Sequence, residues 1–261
     1  MNFLLNDIPS RPEKPREKGL TMMMDKGLGL NEAANFIESS AHLTDLVKLG
    51  FGTSYVTPNL KEKIQLYKKA GLKDYLGGTL FEAFVVRRQF DDYRKLLDTY
   101  GLEMAEVSDG SITMPHDEKC KYIQTLASQV CVVSEVGSKE EGLIIYPAKW
   151  ISMMKKELQA GSWKVIAEAR ESGTVGIYHR DGKTHTLLVD KIKGKVPQEN
   201  IIWEAPQKSQ QVWFIRNMGS NVNLGNIAPN DVISLETLRL GLRGDTFFEF
   251  LPKQPKKEKK K

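Results

Sequence analysis

From residue 20 onward the chain alternates short apolar runs with longer segments of helical period, and it completes eight such alternations before a lysine-rich end. The runs cover residues 20–24, 46–49, 75–77, 102–107, 130–134, 164–169, 200–204 and 221–224, all of strand length. Between them the spacing predicts helices such as 31–40, 60–70, 82–100 and 147–160, which open near Asn, Pro or an acid and in several cases close at Gly. Within 81–97, Phe84, Val85, Leu96 and Leu97 form an apolar stripe beside a charged face, as an outer helix lying on a sheet requires. Strands separated by helices pair in parallel. Eight such units in roughly 230 residues match the count and size of an α/β (β/α)8 barrel, the TIM barrel, with eight parallel strands inside a ring of helices. An open doubly wound sheet is the competing arrangement. The barrel is favoured because no strand runs into a G-x-G-x-x-G phosphate turn, and because polar residues follow nearly every strand instead of collecting at one switch point.

That pattern divides the 261 residues into an irregular arm at 1–18, carrying Pro9, Pro12 and Pro15, a single barrel domain at 19–252, and a disordered tail at 253–261. The arm is expected across the barrel bottom. The tail also accounts for the net charge of +5: it holds six lysines and one glutamate, so the preceding 252 residues carry 32 basic and 32 acidic side chains. A neutral body has no electrostatic footprint for nucleic acid. No apolar run approaches the ~18 residues of a membrane span, so neither nucleic acid nor membrane is an expected partner. Cys120 and Cys131 supply neither a disulfide framework nor a zinc site by themselves, and the expectation is a reducing, cytoplasmic setting with both as small buried hydrophobes.

A barrel of this kind carries its chemistry at the C-terminal ends of its strands. Those positions are conspicuously charged. The first run ends in Asp25-Lys26, the second holds Lys48, the fourth leads to Glu106, Ser108 and Asp109, and the fifth to Glu135 and Lys139. The sixth supplies Glu168, Arg170 and Glu171, the seventh Glu204 and Lys208, and the eighth Asn221, Asn223 and Asn226. Alternation along a strand puts Glu168 and Arg170 on the face of Ile166, and Glu106 and Ser108 on the face of Met104, so both pairs point into one mouth. Such a ring is either an internal ion-pair network closing the barrel or a Mg²⁺ site. In the second reading two or three of Glu106, Glu135, Glu168 and Glu204 hold the ion, with lysine and arginine placed for an anionic substrate. The metal site is favoured, because burying so many charges for structure alone is costly and apolar residues would close the mouth at less cost. Mg²⁺ selects hard oxygen ligands and phosphate.

Two loops suit phosphate. Ser172, Gly173, Thr174 and Gly176 place hydroxyls and backbone N–H groups near an expected helix start. The stretch 223–226 lies at the end of the last run, where barrels of this fold often bind phosphate. Arg239 and Arg243 are assigned to clamping the last helix to the first strand. His42, His116, His179 and His185 fall in predicted helices or helix entries and are assigned to solvent or caps. No Ser/His/Asp or Cys/His arrangement emerges, which argues against acyl transfer.

The loop sequences are more specific than their composition. Residues 25–30 (DKGLGL), 48–54 (KLGFGTS), 77–82 (GGTLFE), 106–111 (EVSDGS), 168–173 (EARESG), 204–211 (EAPQKSQQ), 221–227 (NVNLGNI) and 235–246 (LETLRLGLRGDT) together resemble the phosphosulfolactate synthase family. They do so in order and across every strand end. The resemblance implies a (β/α)8 carbon–sulfur lyase that adds sulfite to phosphoenolpyruvate with Mg²⁺, giving (2R)-phospho-3-sulfolactate on the way to coenzyme M or other sulfonates. It also implies a homo-oligomer. By the same resemblance, Glu106, Glu135 and Glu168 are metal ligands with Glu204 in reserve. Lys26, Lys48 and Arg170 then bind carboxylate and sulfite, and Ser172, Gly173, Lys208 and Asn223 surround the phosphate. Members often carry two consecutive lysines where this chain has Ser138-Lys139, which makes Lys139 the implied proton donor. The rival readings are another phosphopyruvate or enolate enzyme on the same barrel, or a non-catalytic barrel resembling plant heat-stress proteins.

Overall fold

Each of the eight runs gives rise to one parallel strand in the structure, a computed structural model that describes residues 2–137, 146–169 and 172–252. The elements in order are β1 (Thr21–Asp25), α1 (Leu30–Ser40), β2 (Leu46–Leu49), α2 (Thr53–Val56), α3 (Leu60–Lys69), β3 (Lys73–Leu76), α4 (Gly78–Val86), α5 (Phe90–Tyr100) and β4 (Met104–Val107). There follow α6 (His116–Ala127), β5 (Cys131–Val136), α7 (Pro147–Gln159), β6 (Ser162–Ala167), α8 (Thr186–Lys193), β7 (Ile201–Glu204), α9 (Lys208–Met218), β8 (Leu224–Ile227) and α10 (Val232–Arg239). The sheet order is β3-β2-β1-β8-β7-β6-β5-β4, with every paired neighbour parallel. Its two end strands, β3 and β4, lie against each other, so the sheet forms a nearly closed barrel.

Period-2 alternation separates two cores. Outward residues such as Met23, Val47, Ala105, Val165 and Trp203 pack under the helices, while Met22, Leu46, Tyr75, Met104, Val133, Ile166 and Ile202 fill the interior. Each interior side chain contributes about 1.5–3 kcal/mol relative to exposure. Two residues further along five of those strands the inward position is charged: Lys48, Glu106, Glu135, Glu168 and Glu204. The apolar layer thus forms a floor, and the charges stand on it at the C-terminal end.

Two boundaries differ from the sequence pattern. The segment expected as one helix over 82–100 is broken at Arg88, whose φ is 58°; Arg88 N bonds Val85 O and Gln89 N bonds Phe84 O, each at 2.9 Å, closing α4 before α5 begins. The eighth strand starts at Leu224, where the expected run ends; just before it Asn223 accepts from Trp203 N at 3.1 Å through its backbone and spends its side chain on neighbouring backbone groups. Cys120 and Cys131 are half-buried and unbonded to each other, not fully enclosed.

The N-terminal end of the barrel is crossed by residues of the arm. Arg16 pairs with Asp45 at 2.9 Å and Arg11 with Glu236 at 2.8 Å, while Lys164, from inside β6, reaches the carbonyl of Glu17 at 3.0 Å. Arg239 is fully buried and donates to the carbonyls of Ser220 and Val222, both at 2.6 Å, and of Leu20 at 3.1 Å, clamping α10 to the start of β1. Among the described residues no helix is long and apolar enough to cross a membrane. The tail at 253–261 lies outside the described residues.

Candidate active site

At the opposite end, strands β2, β4, β5 and β7 aim their charged residues at one point. Lys48 Nζ lies 3.0 Å from Glu106 Oε1, 3.1 Å from Glu135 Oε2 and 3.3 Å from Glu204 Oε1, with all four side chains almost fully buried. Burial alone would lower the Lys48 pKa, but the three carboxylates outweigh it and hold the ammonium well above the usual lysine range. Glu106 Oε1 also accepts from Gly78 N at 2.6 Å, at the first turn of α4, where the helix dipole favours a negative charge. Residue 78 has to be glycine, since a Cβ would collide with Ser108 and the Glu106 carboxylate. Glu204 Oε2 accepts from Ala169 N at 2.9 Å. Burial, with neighbouring Glu135 adding to it, pushes the Glu204 carboxyl up to about 7 against the pull of Lys48.

Glu135, Glu168 and Glu204 each bring one carboxylate oxygen to a common point, all within 4.8 Å of one another and all buried. Three hard, anionic oxygens converging from adjacent strands fit Mg²⁺ or a similar divalent ion. Glu106 stands beside this group, bonded by Lys48 and Gly78 N much as Glu204 is by Lys48 and Ala169 N.

The backbone beneath these carboxylates is pinned. Lys119, fully buried on α6, joins the Glu135 carbonyl at 2.6 Å, Asp109 at 2.8 Å and Glu157 at 2.9 Å. Tyr178 donates to the Glu204 carbonyl at 2.6 Å. Ile177 N bonds the Glu168 carbonyl at 3.1 Å, and the turn that allows this requires Gly176, with φ 67° and no room for a Cβ against that carbonyl. Asp25 is a loop brace: its carboxylate accepts from Gly27 N and Leu28 N at 2.7 Å, from Tyr67 at 2.8 Å, and pairs with Lys63 at 2.9 Å.

Of the residues singled out from sequence, Lys48, Glu106, Glu135, Glu168 and Glu204 come together. Lys26 is exposed in a cleft of ≈ 580 Å³ between the loop after β1 and the one after β2, beside Gly27, Thr53 and Thr57. Ser172 and Gly173 are held to the start of α9, their carbonyls accepting from Gln207 at 2.6 Å and Gln210 at 2.7 Å. Lys208 pairs with Asp245 at 2.7 Å and is half exposed. Asn223 is at the wrong end for phosphate at this mouth. It precedes β8, accepts from Leu20 N at 3.0 Å and donates to the Glu199 and Ile201 carbonyls, each at 3.1 Å, so its amide is fully used in closing the barrel bottom. Lys139 and Arg170 lie outside the described residues. Sequence reasoning missed Lys119, Lys63 and Tyr178, because a lysine on an amphipathic helix reads as solvent-facing and nothing in its spacing reveals a buried partner.

A nearly closed parallel barrel with its buried polar cluster at the C-terminal strand ends is the arrangement of TIM-barrel enzymes. In fold the chain is similar to 3-hexulose-6-phosphate synthase from Salmonella typhimurium, with a TM-score of 0.57 and 12% sequence identity over 86% of this chain and 100% of that one. In sequence, residues 9–245 match the family described as (2R)-phospho-3-sulfolactate synthase (ComA). The chain is 40% identical over 251 residues to phosphosulfolactate synthase of Bacillus subtilis (strain 168), covering 95% of this chain and 100% of that protein. It is 41% identical over 239 residues to phosphosulfolactate synthase of Methanocaldococcus jannaschii, covering 88% and 94%. The chain belongs to the (2R)-phospho-3-sulfolactate synthase family.

Proposed function

We propose that this protein is a Mg²⁺-dependent phosphosulfolactate synthase, adding sulfite to C3 of phosphoenolpyruvate to give (2R)-phospho-3-sulfolactate. The observation that carries the reading is the convergence of Glu135, Glu168 and Glu204, beside Lys48, at the mouth of a barrel of this family. Glu106, Glu135, Glu168 and Glu204 bring four buried carboxylates to this mouth, and two like charges 4 Å apart repel by about 4 kcal/mol at an effective dielectric of 20. A divalent cation held by three of them offsets that repulsion and gives an anionic substrate a positive centre; when bound it also stabilises charge that develops on the carboxylate oxygens.

In the proposed reaction the sulfur lone pair forms a bond to C3, the C2=C3 electron pair moves toward the carboxylate to give an aci-carboxylate, and a proton is then delivered to C2 from one face. Nothing leaves and no redox change occurs. Lys48 fixes the orientation of Glu106, Glu135 and Glu204 and offsets one of their charges. Arg170 and Lys26 are assigned to the substrate anions, and Lys139 to protonation of C2. Lys139→Met is expected to lower kcat by about 100-fold or more, the ordinary contribution of a general acid; a loss below tenfold removes Lys139 from that role. The function itself is tested by following phosphoenolpyruvate with and without sulfite, in Mg²⁺ or excess chelator, with the product identified by mass. Consumption that needs both sulfite and Mg²⁺ is expected. Consumption without sulfite would point to another nucleophile, and none in any combination would point to a non-catalytic barrel.

A further inference from the structure

Asn226, near the end of β8, is 5% exposed, has a left-handed backbone at φ 56°, and carries a buried Oδ1 that no group among the described residues bonds. Its position follows from a break in alternation. Leu224 and Ile227 both belong to the outer core, whereas a Cβ on Gly225 would strike Met22 and Ile202 inside the barrel. Regular alternation would turn Asn226 outward and Ile227 inward. Instead β1 pairs Thr21 with Leu224 and Met23 with Ile227, so three steps of β8 face two steps of β1. The extra residue is a bulge, a device that re-aims a side chain, and the left-handed residue within it is Asn226. Gly225 and Asn226 therefore both face the barrel interior. Glu204 pairs with Gly225 across β7 and β8, which sets Asn226 one step closer to the mouth than the residue paired with Glu204.

Backbone geometry alone does not call for asparagine here, because glycine adopts φ > 0 at no steric cost. The amide oxygen is an acceptor in want of a donor or a cation. Phosphoenolpyruvate and sulfite present oxygen acceptors, so neither anion satisfies it. A side-chain amide carbonyl is, however, a hard and neutral ligand of the kind that divalent cations take alongside carboxylates.

We propose that Asn226 Oδ1 belongs to the cation site of Glu135, Glu168 and Glu204, supplying a neutral oxygen directly or through one water. The inference rests on the cation reading above and names a ligand beyond the three glutamates. The test is Mn²⁺ binding to the full chain without substrate, followed by electron paramagnetic resonance, with Glu135→Gln marking which binding belongs to this site. Asn226→Gly keeps the left-handed backbone and removes the amide; it is expected to weaken Mn²⁺ about 10- to 100-fold, the range found when a supporting metal-site residue is lost. Asn226→Asp, which also tolerates this backbone, is expected to bind Mn²⁺ at least as tightly as the parent. Mn²⁺ affinity within twofold of the parent in Asn226→Gly overturns the assignment. Should Asn226→Gly fail to fold in chelator, a weakened Asn226→Asp does so. Absence of any Mn²⁺ binding sensitive to Glu135→Gln sinks the cation reading and this inference together. Mn²⁺ binding that depends on Asn226, in a protein that does not consume phosphoenolpyruvate, leaves the inference standing and refutes the substrates.

Discussion

The two ends of this barrel are both crowded with buried charge, yet they are organised on opposite principles. At the N-terminal end charges meet one to one, Arg16 with Asp45 and Arg11 with Glu236, or are absorbed by carbonyls, as Arg239 is by three of them. At the C-terminal end three carboxylates converge on the ammonium of Lys48, and Glu168 stands among them. A matched set of buried polar groups holds a fold together without further help. A buried set of like charges is stable only with protons or a ligand to balance it, and such sets cluster at functional sites. The density of charge at a strand end is therefore a poor marker of function. The convergence of like charges on one point is a better one.

The sharpest way to break that contrast is to change the balance at the mouth. Glu135→Gln is expected to reduce sulfite-dependent turnover about 10²- to 10³-fold, the scale of losing one preorganised electrostatic group, while leaving the melting temperature in chelator unchanged or higher because one repelling carboxylate is gone. Lys48→Met should cost as much turnover and lower the melting temperature, since three carboxylates lose a counter-ion that they share. Retained turnover with lowered stability in Glu135→Gln would mean that the mouth is architecture, as the other end is.

How far the sequence announced this arrangement depends on what each residue's neighbours in the chain reveal. The motif of an inward apolar residue followed two positions later by a charge recurs as Leu46/Lys48, Met104/Glu106, Val133/Glu135, Ile166/Glu168 and Ile202/Glu204. Because side chains alternate strictly along a strand, that spacing puts Glu106 and Glu168 in the mouth from the sequence alone, and the structure extends the same rule to Lys48, Glu135 and Glu204. The eighth strand was not legible in the same way. Its apolar signal is interrupted by the bulge at Gly225-Asn226, so the pattern runs three residues early and carries Asn223 to the wrong end of the barrel. The break at Arg88 leaves no trace in side-chain polarity, since a left-handed residue can be charged and exposed. Lys119 and Lys63 were invisible for a related reason: their partners come from other units of the barrel, and only tertiary packing brings the two together.

The closed end offers the complementary experiment. Arg239→Met removes three hydrogen bonds from a buried place; the Leu20 carbonyl keeps Leu224 N at 2.9 Å and the Ser220 carbonyl keeps Arg11 at 3.3 Å. At roughly 1 kcal/mol for each hydrogen bond lost, the loss should reach about 3 kcal/mol in urea unfolding. Turnover per folded molecule should be unaltered, because the residue is on the far side of the apolar floor. A turnover defect equal to that of the mouth variants would show that the two ends are coupled.

The smallest expected effect sharpens the comparison most, because each end contains a carboxyl that burial raises to about 7: Glu204 at the mouth and Asp74 near the start of β3. For Asp74 burial is the main cause, only partly opposed by Lys68, and its Oδ2 is buried with no hydrogen-bond partner. A carboxyl with a folded pKa above its ordinary 3.8 is more easily protonated folded than unfolded. Its ionisation therefore weakens the fold increasingly as pH climbs from about 4 through 7. Asp74→Asn, which cannot ionise, should stabilise the protein more at pH 8 than at pH 5, by a difference on the order of 1 kcal/mol, with turnover unchanged; an equal gain at both pH values would discard the assignment. Glu204→Gln removes an equally reluctant charge, but one that faces Lys48, Glu135 and Glu168 in place of a packed interior, and it should abolish most turnover whatever it does for stability. Two carboxyls made alike by burial are thus separated by what surrounds them: one is a cost the fold tolerates, and the other is a charge the site requires.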